Sequence, residues 1–198
     1  MTNHNIDLII QLCLTVILIF GIYQFYFWCQ RTTLVAPRQL RSRLDDAIPY
    51  WPRWVWIYSC LYYPMIVYIN FVAESPRHFL YLAMSYIVLL IFQMAFFVGF
   101  PVATPAEWRE AVQGRGRSER FLAFVQRFDA PSNSFPSMHT SVAMLTALHL
   151  QPHLGLWVWS FPLLIAASCV FTKQHYVIDL PAGAGLGWMV FHFFKLVY

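Results

Sequence analysis

Two short polar segments hold the residues of this chain that could do chemistry. The first is Ser132-Asn133-Ser134-Phe135-Pro136-Ser137-Met138-His139-Thr140-Ser141. Its proline fixes a helix start. The free backbone N–H groups there, with the positive end of the helix dipole, make a ready anion site. The second is Thr172-Lys173-Gln174-His175-Tyr176-Val177-Ile178-Asp179-Leu180-Pro181. It sets a cation, an imidazole and a carboxylate at the start of another helix. His175 and Asp179 are four apart, so a helical turn stacks them on one face.

These residue types fit phosphoryl transfer. That chemistry needs positive groups around the equatorial phosphate oxygens and a nucleophile in line with the leaving oxygen. Lys173, Ser137 and the helix amides can supply the cradle. An imidazole held in one tautomer by a carboxylate is an activated nucleophile, which casts Asp179 as the partner of His175. His139 can protonate the leaving alkoxide and later deprotonate the acceptor. Asp179 taken alone would read as a helix cap. His139, His175 and Asp179 are also metal-ligand types, but no H-E-x-x-H or cysteine cluster accompanies them, and no metal site is expected.

At these residues the chain resembles the type-2 phosphatidic acid phosphatase superfamily, in which Pro-Ser-x-His is followed by His-x-x-x-Asp. Pro136-Ser137-Met138-His139 matches the first motif and His175-Tyr176-Val177-Ile178-Asp179 the second. Thr172-Lys173-Gln174-His175-Tyr176 and Asp46-Ala47-Ile48-Pro49 are similar to the branch that includes inositol phosphorylceramide synthases. The resemblance implies a membrane bundle of six helices and a metal-independent reaction that needs no cofactor. It also implies a phosphohistidine on His175, with Asp179 as its partner, His139 as acid/base and Ser137 on a phosphate oxygen. The family's first-motif lysine is missing, since the only lysines are Lys173 and Lys195. Arg109 is the best-placed substitute, with Arg115 or Arg117 behind it. Where the family often has Ser-Arg before the second histidine, this chain has Ser168 and Cys169.

The elements that must position these residues read as membrane spans. Apolar residues make up 59% of the 198 and charged residues 11%, against roughly 25% charged in a soluble domain. Apolar stretches run over 6–29, 54–73, 79–102, 135–151, 154–171 and 180–197, most of them long enough to cross. Pro152 is expected to stop the fourth and Pro162 to kink the fifth. A segment over 121–128 reads as an amphipathic turn lying on the membrane. Gly183, Gly185 and Gly187 read as close-packing surface rather than a nucleotide loop. The chain is a single all-α domain over 1–198. The scattered cysteines form no C-x-x-C pair, so no disulfide framework is expected.

Six crossings put the loops after spans one, three and five on one side, which then carries eleven of the 13 Lys and Arg residues. Counted by the positive-inside rule that side is cytoplasmic, whereas the resemblance implies an outer or luminal active face; the expectation follows the resemblance, with a bacterial inner membrane and a periplasmic site. Nucleic-acid binding is excluded because the basic residues adjoin apolar spans and alternate with acids. The expected activity is a lipid-phosphate phosphatase of the phosphoric monoester hydrolase class, with a membrane lipid phosphate as substrate. The alternatives are a transferase that moves the phospho-headgroup to an alcohol, and a non-catalytic scaffold or transporter.

Overall fold

In the computed structural model, residues 3–110 and 114–197 are described, and every named element among them is helical. The chain runs through α1 (Asn3–Arg31), α2 (Arg43–Ala47), α3 (Tyr62–Val72), α4 (Pro76–Gly99), α5 (Ala106–Glu110), α6 (Arg117–Phe128), α7 (Met138–Leu154), α8 (Ser160–Phe171) and α9 (Asp179–Val197). Among the described residues, four stretches are long and apolar enough to cross a membrane: Asn5–Arg31, Pro52–Val72, Pro76–Gly99 and Met138–Phe171. The last is 34 residues long, about 50 Å if it were one straight helix, well beyond a hydrocarbon core of about 30 Å. It is two helices. Gly155, at φ 61°, ends α7, and a 3-10 turn over Gly155–Trp159 leads into α8.

Two proline expectations change. α7 continues through Pro152 to Leu154, so the glycine, not the proline, supplies the stop; a left-handed residue closes a helix end at least strain when it has no Cβ. Pro162 falls in the first turn of α8, where a missing N–H breaks no intrahelical bond, so it introduces no kink. Pro64 lies early in α3 and cannot donate back to Cys60. The chain there forms a π turn over Ile57–Leu61, as helices do where a ladder bond is lost.

α7 is the central helix. It packs against α3, α4, α8 and α9, and Ala143, Leu145, Ala147 and Leu150 are fully buried along it. A helix apolar on every side belongs inside a bundle. Its closest partner is α9. A Cβ added to Gly183 would lie 2.3 Å from the Ser137 carbonyl oxygen, and one added to Gly187 would lie 2.2 Å from that of Ser141. Two small residues four apart let the backbones approach this far. Gly185 faces open space, so only two of the three glycines serve packing. Polar pairs add glue between spans: Thr15 to Asn70 at 2.9 Å and Tyr86 to Thr146 at 2.7 Å.

The polar loops after α1, α4 and α8 meet at one end of the bundle. Arg38 and Val102 form an isolated parallel bridge, with Arg38 N–H donating to the Pro101 carbonyl at 2.9 Å and Ala103 N–H to that of Arg38 at 2.8 Å. Thr104 N–H donates to the Pro131 carbonyl at 2.8 Å. The amphipathic segment is a full helix, α6, with Trp56 stacked on its Phe121 at 4.7 Å.

Candidate active site

The two motifs meet in this end of the bundle. Ser137 caps α7: its side chain accepts from Thr140 N–H at 3.4 Å, and its own N–H donates to the Asp179 carbonyl at 3.0 Å. The start of α7 is thereby bonded to the start of α9. One residue into α7, the His139 ring stacks on Tyr58 at 4.1 Å and 27°, and Tyr62 stands 5.3 Å away. Tyr58 belongs to the π turn, so that irregularity delivers an aromatic face to the imidazole. The rings of His139 and His175 are 5.9 Å apart, centroid to centroid, near edge-on.

His175 lies on the loop between α8 and α9 and is buried. Its Nδ1 is 2.9 Å from the Ser134 carbonyl oxygen and 3.2 Å from Asp179 Oδ2. A carbonyl and an ionised carboxylate only accept, so Nδ1 carries the proton. The lone pair is then on Nε2. Asp179 Oδ2 also accepts from Tyr176 N–H at 2.9 Å. One carboxylate therefore fixes both the imidazole and the backbone that carries it. Asp179 Oδ1 is buried with no partner.

The loop is anchored by residues that sequence reasoning missed. Asp45, buried on α2, accepts from Val177 N–H at 2.7 Å through Oδ1 and from Ser42 N–H at 2.7 Å through Oδ2. Gln93 of α4, fully buried, donates to the Pro136 carbonyl and accepts from Ser141 Oγ at 3.2 Å. Tyr176, also fully buried, donates its hydroxyl to the Ala103 carbonyl at 2.8 Å; burial pushes its phenol up to about 12. A buried glutamine in an apolar span was the one available signal; Asp45 looked like any other charge in a polar loop.

Two expected cradle residues have other partners. The Lys173 ammonium donates to the Asp45 carbonyl at 2.6 Å and lies over the Trp108 ring at 5.1 Å. Burial pulls it below its ordinary value, against the upward pull of Asp45 and Asp46. Arg109 donates from Nη1 to the carbonyls of Asp129 at 2.5 Å and Gln126 at 3.2 Å, while its Nε is buried without a partner. Arg115 donates its backbone N–H to Glu119 at 2.8 Å, on the exposed surface. The structure thus brings His139, His175, Asp179 and Ser137 together, while Lys173, on the loop before α9, and Arg109, on α5, bond to backbone carbonyls.

Both imidazoles open onto a cavity of about 370 Å³. Near the histidines its wall includes Asp129, Asn133, Tyr26 and Tyr58; further in it is apolar, with Ile22, Ile66, Phe79, Leu82 and Ala83. From Tyr26 to Thr15 the wall follows α1 for about 16 Å. Asp129 accepts from Tyr26 Oη and Gln30 Nε2, both at 2.6 Å. Burial still holds its carboxyl above the usual carboxylate range, against the downward pull of Tyr26 and of Arg109. Cys169, fully buried at the end of α8, places its Sγ within 4.8 Å of a ring nitrogen of each histidine, with the two ring nitrogens equally close to each other. All four cysteines are free thiols.

A family model described as the PAP2 superfamily matches residues 43–193, which takes in both motifs and the Asp45 anchor. The chain is 27% identical over 73 residues to the uncharacterized protein MJ0662 of Methanocaldococcus jannaschii, a match covering 36% of this chain and 30% of that one. The chain thus spans under a third of that relative's length. No solved structure matches.

Proposed function

The chain belongs to the PAP2 superfamily, whose members are phosphatases or phosphotransferases, and from that premise we propose that it is a metal-independent lipid-phosphate phosphatase acting through a phosphohistidine on His175. The observation that carries the reading is the meeting of two imidazoles at the polar end of an otherwise apolar cavity. A lipid tail fits the apolar length, and its phosphate then faces the rings.

In this mechanism Nε2 of His175 attacks phosphorus while the P–O bond to the lipid breaks. His139 gives its proton to the leaving alkoxide. His139 then takes a proton from water, the water oxygen attacks phosphorus, and the N–P bond breaks to release phosphate. Asp179 stabilises the cationic ring in between. Ser137 and the amino end of α7 hold the equatorial oxygens. The unpartnered Nε of Arg109 supports a cradle role for that residue; Lys173 takes one only by releasing the Asp45 carbonyl. With an alcohol in place of water the same steps make a transferase. Asp129 and Asn133, on the cavity wall beside the rings, give an acceptor hydroxyl a place to bond.

We read the bundle as six crossings in a bacterial inner membrane, with α7, α8 and α9 as the last three and the site on the periplasmic face. Labelling of single cysteines near Arg115 by an impermeant thiol reagent tests that sidedness. The activity is tested by supplying purified protein with lipid phosphates, with and without alcohols, and following phosphate and new lipid products. Acid-labile phosphoenzyme should form, and His175→Asn should abolish it. Undiminished phosphoenzyme or turnover in that variant overturns the assignment of the nucleophile, whereas no turnover of any lipid phosphate by the wild type leaves a non-catalytic scaffold or transporter as the better reading.

A further inference from the structure

The donors around the two imidazoles make a second kind of site. We propose that His139, Cys169 and His175 form a reversible binding site for a borderline-soft divalent cation of the zinc class, and that filling it shuts off turnover. The inhibitory half rests on the phosphohistidine reading; the binding half does not.

Three arguments carry it. First, three donor atoms from three separate elements converge within 4.8 Å of one another. Each is held from behind: His139 by its stack on Tyr58, His175 by Ser134 and Asp179, and Cys169 by its burial at the end of α8, where its carbonyl accepts from Gln174 N–H at 3.0 Å. Tetrahedral donors around zinc stand roughly 3.5 Å apart. The set therefore closes on an ion with side-chain movements on the order of 1 Å, within rotamer play.

Second, the surroundings of His175 are those of a ligating imidazole. Such a ring donates its other nitrogen to a carboxylate or carbonyl, which fixes the tautomer and raises its basicity. His175 Nδ1 has both partners, at 3.2 and 2.9 Å. Asp179 thus stands outside the coordination shell rather than in it. Third, two nitrogens and a thiolate select zinc-class ions over magnesium or calcium, which demand oxygen. The cavity leaves a fourth position for water or a phosphate oxygen, so the ion can exchange.

Binding needs the thiolate. The S–H bond of Cys169 breaks, the S–metal bond forms, and the proton passes to buffer, with no change of oxidation state. Both imidazole lone pairs are then occupied, so neither attack on phosphorus nor proton transfer can proceed.

Purified full-length protein titrated with Co²⁺ should show the near-ultraviolet thiolate-to-cobalt band together with visible bands of tetrahedral intensity. Co²⁺ binding should release about one proton per ion, from the Cys169 thiol. Zn²⁺ should then displace the Co²⁺ with no further proton release, and a hundredfold excess of Mg²⁺ should not displace it. Cys169→Ser and Cys169→Ala should both lose the thiolate band and bind Zn²⁺ at least tenfold more weakly, with thermal melting used to confirm that each is folded. Absence of the thiolate band, or wild-type affinity in a folded Cys169 variant, overturns the site. In wild type, half-inhibition of lipid-phosphate turnover should fall at the measured Zn²⁺ dissociation constant and be reversed by chelator. Binding with the thiolate band but without inhibition overturns the phosphohistidine role of these imidazoles and leaves the site standing. Turnover without metal binding does the reverse.

Discussion

Gly183 of α9 lies against Ser137 of α7 so closely that a single added methyl would stand 2.3 Å from the Ser137 carbonyl oxygen and 2.3 Å from Thr140 Oγ1. That contact sets the spacing between the two helix starts that bear His139 and Asp179. Gly183→Ala should therefore cost about 1–3 kcal/mol of stability from overpacking and reduce turnover more than Gly185→Ala, which meets open space. Thermal unfolding in detergent, run beside a phosphate-release assay, checks both. Equal effects at the two glycines would contradict the packing account.

Asp179→Asn tests the tautomer argument. The asparagine can turn its amide toward Nδ1 and push the proton to Nε2, removing the nucleophile without removing any atom from the site. Turnover should fall at least about a hundredfold, and phosphoenzyme should accumulate more slowly. Tyr176 N–H shares Oδ2 with Nδ1 and loses its acceptor in that flip, so the variant should also lose about 1–3 kcal/mol of stability.

Asp45 lies on α2 but accepts from the backbone of the His175 loop. Asp45→Ala leaves donors of Val177 and Ser42 unpaired and should cost about 1–3 kcal/mol. Turnover should drop with it, through loosening of the loop rather than loss of a reacting group. Asp45→Asn keeps an acceptor for Val177 N–H and should recover most of the activity. If the asparagine variant is as poor as the alanine one, the residue acts through its charge instead.

The cavity makes a prediction about chain length. Ala83 lines its apolar part. Ala83→Trp should lower kcat/KM for a long-chain lipid phosphate at least about tenfold, the loss expected when bulk excludes a methylene run from a pocket. A short-chain phosphomonoester should be turned over as before. Assaying the two substrates with each protein decides it, and equal loss on both would place the lipid tail elsewhere.

The buried Asp129 predicts a pH dependence of stability. Burial raises its carboxyl above the ordinary 3.8. Between those two values the unfolded chain has lost a proton that the folded chain keeps, so folding becomes less favourable as pH rises through that window. Asp129→Asn removes this contribution. Its melting temperature should fall less than wild type's from about pH 4 to pH 7, while Tyr26 and Gln30 can still donate to the amide oxygen.

Much of this was legible in the one-dimensional chain. The apolar runs carry helix and membrane in their length, because a long continuous apolar segment satisfies its own backbone in lipid only as a helix. The two motifs carried the reacting groups, although Pro136 stands before the Ser137 cap rather than in the first turn of α7, and His175 meets Asp179 from the loop before α9 rather than along a helical face. Local spacing suffices for contacts made within four residues.

What spacing could not supply is every contact made across the bundle. That Ser134 rather than Asp179 alone holds Nδ1, that Asp45 clamps the loop from 132 positions away, and that Tyr58 stacks on His139 all follow from how the helices pack. So does the fate of Lys173, whose charge looked free for phosphate until α2 and Trp108 claimed it. Cys169 shows the difference most plainly: in the chain it is a small apolar residue in a span, and only the crossing of α8 over α7 brings its sulfur to the two imidazoles. A side chain's type is written in the sequence, but its partners are fixed by the tertiary packing that decides which backbones approach.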